Sequence, residues 1–189
     1  RYCRIPYATK GPRDAGWQNN PLELTQVPDD MNIGVLLGPA SGGIAALDFD
    51  GPLAWDWWDA NIGIAIPDTV TWTSGKPGRC QMAFYVEDIF WEHLATKKVD
   101  VGEGQGFEFR WTGGQSVLPP SQHPDTQQPY FWLRAPTEVN IARIPDEVLR
   151  AWLKHKPAER EATELVEQGS IDTITESEYN TLIKAVDVI

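Results

Sequence analysis

Cysteine is nearly absent from this chain of 189 residues, and the two present, Cys3 and Cys80, are too few for a disulfide framework and lack any metal-binding spacing. They are expected as free thiols in a reducing compartment. Long apolar runs are also missing. Nothing approaches the ~20 apolar residues that a membrane helix needs, and no basic-then-apolar signal segment opens the chain. A soluble, cytoplasmic protein with no membrane partner is expected. An excess of positive charge is missing too: the formal net charge is −11, which at first sight argues against a polynucleotide partner. The charge is uneven, however. From Pro157 onward there are eight acidic residues against two basic ones, a net of −6, which leaves −5 for everything before it. The polynucleotide reading is weakened and not excluded. The chain opens on Arg1 rather than Met, as a fragment of something larger would.

What is present centres on NIGVLLGPASGGIAALDFDGP, Asn32 to Pro52. Two short apolar runs separated by Gly38, Pro39, Ser41, Gly42 and Gly43 read as strand, tight turn, strand. The second run ends in Asp48-Phe49-Asp50-Gly51. In an extended chain Asp48 and Asp50 share one face, about 7 Å apart, and Phe49 points to the other. Two carboxylates that close raise each other's pKa unless a cation relieves them, and a hard divalent ion such as Mg²⁺ or Mn²⁺ suits oxygen ligands. The same Asp-x-Asp-Gly is also a common way for a strand to end in a turn.

Before that centre, Arg1 to Asn20 reads as an irregular lead-in and Pro21 to Met31 as one short helical turn. After it, Leu53 to Ile62 fits a short amphipathic helix, whose tryptophans suit core packing better than a sugar or base platform. Thr69 to Thr73 and Gln81 to Val86 form a predicted β-hairpin with the basic, Gly-rich tip Ser74-Gly75-Lys76-Pro77-Gly78-Arg79. That tip is either a solvated turn or a cradle for triphosphate oxygens. Glu87 to Lys98 fits a helix. Phe107 to Trp111 alternates, with Glu108 and Arg110 on the polar face. They are either a surface pair or a third metal oxygen beside a phosphate-binding fork. Ser116 to Leu118 and Tyr130 to Trp132 are short strands, and between them His123 sits among prolines as either a structural or a functional histidine. Val148, Leu149, Trp152 and Leu153 form the apolar stripe of a helix after Pro145. Ala158 to Gln168 reads as a charged helix, and a capping box at Thr175 to Glu178 starts a last one. The boundaries expected are a main domain over 1–156 and a helical appendage or linker over 157–189.

Strands interrupted by helices predict a mixed α/β (α+β) sheet. If Asp48, Asp50 and Glu108 converge on one face beneath the basic loop, such a pocket suits two divalent ions about 3.5–4 Å apart, the arrangement that serves displacement at phosphorus. Taken together, GVLLGPASGGIAALDFDG, TVTWTSGKPGRCQMAFYV and GFEFRWTGGQSVLPPSQHP with PYFW resemble the bifunctional primase-polymerase (Prim-Pol) domain of the archaeo-eukaryotic primase superfamily. The likeness runs from Lys10, Pro12, Gly16 and Trp17 to Leu153. It implies an RRM-like catalytic sheet packed with a second α/β layer, acting as a template-directed primase and polymerase, in the replication of plasmid, phage or other mobile DNA. It further implies two Mg²⁺ or Mn²⁺ ions held by Asp48, Asp50 and Glu108, which are also the catalytic residues. Nucleotide contacts would come from Ser74, Lys76, Arg79 and Gln81, with Arg110 adjoining and His123 joining the set. The partners implied are a DNA template and primer, (d)NTP substrates, and a fused or associated helicase. Gln81 departs from the family, which usually has His there; glutamine still donates to a phosphate oxygen but carries no charge. A catalytically weakened nucleotide- or nucleic-acid-binding module of the same fold is the alternative.

Overall fold

The computed structural model describes residues 1–154 and Ser177. In chain order the elements are β1 (Tyr2–Ile5), β2 (Asn32–Leu36), β3 (Ile44–Asp50), α1 (Pro52–Asn61), β4 (Thr71–Thr73), β5 (Arg79–Tyr85), β6 (Lys97–Gly102), β7 (Gln105–Arg110), β8 (Gln115–Val117), β9 (Phe131–Arg134), β10 (Ala142–Arg143) and α2 (Asp146–Lys154). They build two sheets in a mixed α/β arrangement with few helices. The larger runs β6-β7-β3-β5-β4-β9, all antiparallel, with β10 added parallel to β5. The smaller is β1-β2-β8, also antiparallel.

Alternation along β3 decides what each face of the larger sheet meets. Ala45, Leu47 and Phe49 are fully buried on one face, where they join Phe107 and Phe109 of β7 and the helices α1 and α2. The packing is aromatic: Phe49 stacks on Trp55 at 4.0 Å, Trp57 on Phe107 at 4.8 Å and Phe109 on Trp152 at 5.2 Å. Each such pair adds about 0.5–1.5 kcal/mol beyond its buried area. The tryptophans of α1 therefore serve the core. In α2 the stripe Val148, Leu149, Trp152 and Leu153 is buried as its period requires, and Trp152 Nε1 donates to the Ala95 carbonyl. Among the described residues the other face of the larger sheet carries no helix. Ala46, Ala83, Val70 and Trp72 form a smaller core there with Leu37, and Trp72 Nε1 crosses to the small sheet, donating to the Val117 carbonyl at 2.8 Å. The two sheets are thus tied at one edge and leave a cleft between them.

Several expectations need correction. The runs Asn32–Leu36 and Ile44–Asp50 are the two strands expected on either side of a tight turn, but they lie in different sheets. A 3-10 turn at Pro39–Ser41 carries the chain from the small sheet to the large one, and a lone bridge between Gly38 and Ile44 is their contact. Glu87 to Lys98 is not a helix: a 3-10 segment covers Asp88–His93 and the chain then extends into β6. The lead-in contains β1, paired with β2 from Tyr2↔Val35 to Ile5↔Asn32. Among the described residues the smaller β1-β2-β8 sheet forms the layer across the cleft from the larger one. The helices expected at Ala158 to Gln168 and after Thr175 lie outside the described residues, apart from Ser177.

Candidate functional site

On the helix-free face, the register of β7, β3 and β5 lays nine residues out as a grid. Arg110, Ala46 and Ala83 form one row; Glu108, Asp48 and Gln81 the next; Gly106, Asp50 and Arg79 the third. Directly opposed residues of an antiparallel pair have Cβ atoms about 4.5–5.5 Å apart, so Asp48 and Glu108 are carboxylates set side by side. Ala46 and Ala83 are covered by Leu37, Val70 and Trp72, and Gly106 lies under the Lys98 side chain, so the polar middle of the grid is flanked by packed positions. Lys98 of β6 extends the middle row beyond Glu108.

The polar grid is cross-linked by its own cations. Arg110 reaches Asp48 at 3.4 Å and Glu108 at 3.5 Å, Arg79 pairs with Asp50 at 2.7 Å, and Gln81 Nε2 donates to Asp48 Oδ2 at 2.9 Å. Even so, the Asp48 carboxyl is pushed up to about 6. Burial is the main cause; the charges of Glu108 and Asp50 add to it, and Arg110 and Gln81 oppose it. The Gln81 Oε1 oxygen is buried with no partner. Gln81 thus gives one of its two amide hydrogens to Asp48, keeps the second, and has an acceptor oxygen without a protein partner.

All three carboxylates share one face, but among the described residues no three His, Cys, Asp or Glu side chains are drawn together as a ready metal site. The guanidiniums hold those positions: Asp50 leans to Arg79 and Glu108 to Arg110. The donor set is nonetheless of the kind a hard divalent ion takes. It offers adjacent carboxylate oxygens with unrelieved repulsion and an unsatisfied amide oxygen beside them.

From the grid the cleft extends under the β4–β5 hairpin tip to the far loops. Its walls include Asp48, Asp50, Arg79, Gln81 and Arg110, then Ser74, His123 and Tyr130, with Lys10 and Gln115 from the small-sheet side. The basic tip is ordered. Gly75 N donates to Thr73 Oγ1 at 3.0 Å, Thr73 Oγ1 donates to the Arg79 carbonyl at 2.6 Å, and Trp55 Nε1 donates to the Gly78 carbonyl at 2.9 Å. Gly78 has φ +70°, and a Cβ there would meet Pro52 N at 2.7 Å, so only glycine lets the tip pack on the start of α1. Lys76 bridges from the tip to Asp125 at 2.8 Å. His123 is 1% exposed, and its Nδ1 accepts from the backbone of Asp125 and Thr126 at 3.1 and 3.3 Å. Its proton therefore belongs on Nε2, and burial together with Lys10 and Lys76 lowers its pKa, keeping the ring a neutral donor.

Of the residues singled out in the sequence, Asp48, Asp50, Ser74, Arg79, Gln81, Arg110 and His123 meet in one cleft. Glu108 joins through its register with Asp48, and Lys76 through Asp125. Lys10, Gln115 and Tyr130 join them: Lys10 belongs to the lead-in of the resemblance and Tyr130 to a predicted strand, but no local pattern places either at the site or connects Lys10 with Gln115, 105 positions away.

A family model described as "Bifunctional DNA primase/polymerase, N-terminal" matches residues 4–147. That span takes in every element on the cleft. No curated protein matches the chain.

Proposed function

We propose that this chain, which belongs to the Prim-Pol family of bifunctional DNA primase/polymerase N-terminal domains, transfers nucleotides from (d)NTPs to a 3′-hydroxyl on a DNA template. The observation that carries this reading is the opposed pair Asp48↔Glu108, with Asp50 two residues on and arginines interleaved, on a cleft that Lys10, Ser74 and His123 also line. Asp48, Asp50 and Glu108 would hold Mg²⁺ or Mn²⁺, which when bound activates the 3′-hydroxyl and stabilises the leaving pyrophosphate. Arg79 and Arg110 occupy the same patch as counter-cations, and a triphosphate gives their guanidiniums a second anionic partner in bidentate geometry. Ser74 and Lys76 on the hairpin tip and the Nε2–H of His123 supply donors for phosphate oxygens. The bond formed joins the 3′-oxygen to the α-phosphorus, and the bond broken releases pyrophosphate.

A second reading rests on Gln81. One of its two amide hydrogens is engaged with Asp48 and it carries no charge, so a binding module with little catalysis is the alternative. Incubation with a primed template, labelled dNTP and Mn²⁺ separates the two. Extension by the wild type that Asp48→Ala abolishes, with an unchanged circular dichroism spectrum, supports the polymerase; nucleotide binding without any product supports the module. Full activity in Asp48→Ala would remove Asp48 from the mechanism.

A further inference from the structure

Four Lys and Arg side chains line or border the cleft, and three are already matched with carboxylates: Arg110 with Asp48 and Glu108, Arg79 with Asp50, and Lys76 with Asp125. Lys10 lines the same cleft and makes no ion pair among the described residues, although its charge, like that of Lys76, acts on Asp125.

Lys10 lies in an irregular segment outside every strand and helix, yet the main chain there is fixed from within the fold. The Thr9 carbonyl accepts from Asn32 Nδ2 at 3.1 Å, and the Lys10 carbonyl accepts from Gln115 Nε2 at 2.8 Å. Asn32 and Gln115 are buried, and Gln115 keeps its Oε1 unpartnered in order to make this bond. Two buried amides spent on adjacent carbonyls of a loop set where the Lys10 side chain starts, while its ammonium stays free to meet a ligand.

Lys10, Lys76 and Arg79 all act on His123, and Tyr130 feels Asp48 and Arg110 as well as Asp125 and Arg79, so one continuous cleft joins the carboxylates to these cations. A polyanion with its reacting phosphorus at the carboxylates can reach Lys10 along it.

We propose that Lys10 is a nucleotide-binding residue whose ammonium contacts the β- and γ-phosphates of the (d)NTP, at the end of the cleft shared with Lys76 and His123. This rests on the reading of the cleft as a (d)NTP site. The test is calorimetric titration of dTTP and dTMP, with Mg²⁺, into the wild type, Lys10→Met and Lys10→Arg. Lys10→Met should bind dTTP about tenfold more weakly, the worth of one charge-assisted contact. It should bind dTMP within about twofold of wild type, and Lys10→Arg should restore dTTP. The melting temperature should not move, because Gln115 holds the main chain at residue 10 and not its side chain. Wild-type dTTP affinity in Lys10→Met, or equal loss of both nucleotides without rescue by Arg, overturns the assignment alone. A wild type that binds neither nucleotide takes the (d)NTP site down with it.

Discussion

Replacing Asp48 by asparagine should make the ion-free protein more stable. Asp48 faces Glu108 on β7, Asp50 on its own strand and Gln81 on β5, with Arg110 as its one cation. Its side chain is 21% exposed, so water screens the site poorly. The rise from 3.8 to about 6, at about 1.4 kcal/mol per pH unit, makes the ionised form cost the fold about 3 kcal/mol at neutral pH. Asparagine keeps an oxygen for Gln81 Nε2 and leaves Arg110 to Glu108, so a gain of about 2 kcal/mol is expected, or about 4–8 °C in melting temperature for a domain of this size. The sign follows from the direction of the shift. A folded pKa above the unfolded one means that the stabilisation from protonating Asp48 is complete below 3.8 and is lost as pH rises through about 6. The wild type should therefore fall behind the asparagine variant across that window, and the gap should persist at pH 7.5. Melting both proteins in EDTA measures this, and adding Mn²⁺ should raise the wild type alone. A variant that melts below the wild type in EDTA would refute the reasoning, since it would mean Arg110 more than compensates the buried charge.

Three other changes test neighbouring parts of the account. Arg110→Ala removes the shared partner of Asp48 and Glu108, so ion-free melting should report a loss of about 3 kcal/mol, partly recovered with Mn²⁺. Gly78→Val forces a β-branched residue to φ +70° against Pro52, and should cost about 1–3 kcal/mol while weakening nucleotide binding through the displaced hairpin tip. Cys3 and Cys80 are buried, and burial pushes both thiols up to about 12. Iodoacetamide at pH 7.5 should leave the native protein unlabelled and modify both cysteines in denaturant, as mass spectrometry would show.

Short-range patterns carried much of this fold. Period two along Ile44–Asp50 and Gln105–Arg110, and the apolar stripe of Asp146–Lys154, identified β3, β7 and α2, because each has one face to bury. Lys97–Gly102 escaped notice because Val99 alone among its side chains is buried, while the preceding Asp-Ile-Phe-Trp-Glu-His-Leu mimics a helical stripe. β1 is four residues long with a charged Arg4 at its centre, and its pairing with β2 depends on residues some thirty positions away. The two halves of Asn32–Pro52 belong to different sheets because Leu36 and Leu37 enter separate cores, which no turn signal reveals. The site followed the same division. Which residues share a face was legible from alternation, whereas the opposition of Asp48 to Glu108, the bond from Gln81 to Asp48 and the arrival of Lys10 all depend on register and on chain-distant contacts.

The reading depends on the carboxylates of β3 and β7 acting as one cation-holding group. Titration of Mn²⁺, followed by electron paramagnetic resonance with dTTP present, tests it most directly in the wild type and in Glu108→Gln, a variant that keeps the shape of position 108 and removes its charge. Saturable Mn²⁺ binding in the wild type that is sharply weakened by Glu108→Gln is the predicted result; equal binding in both proteins would contradict it.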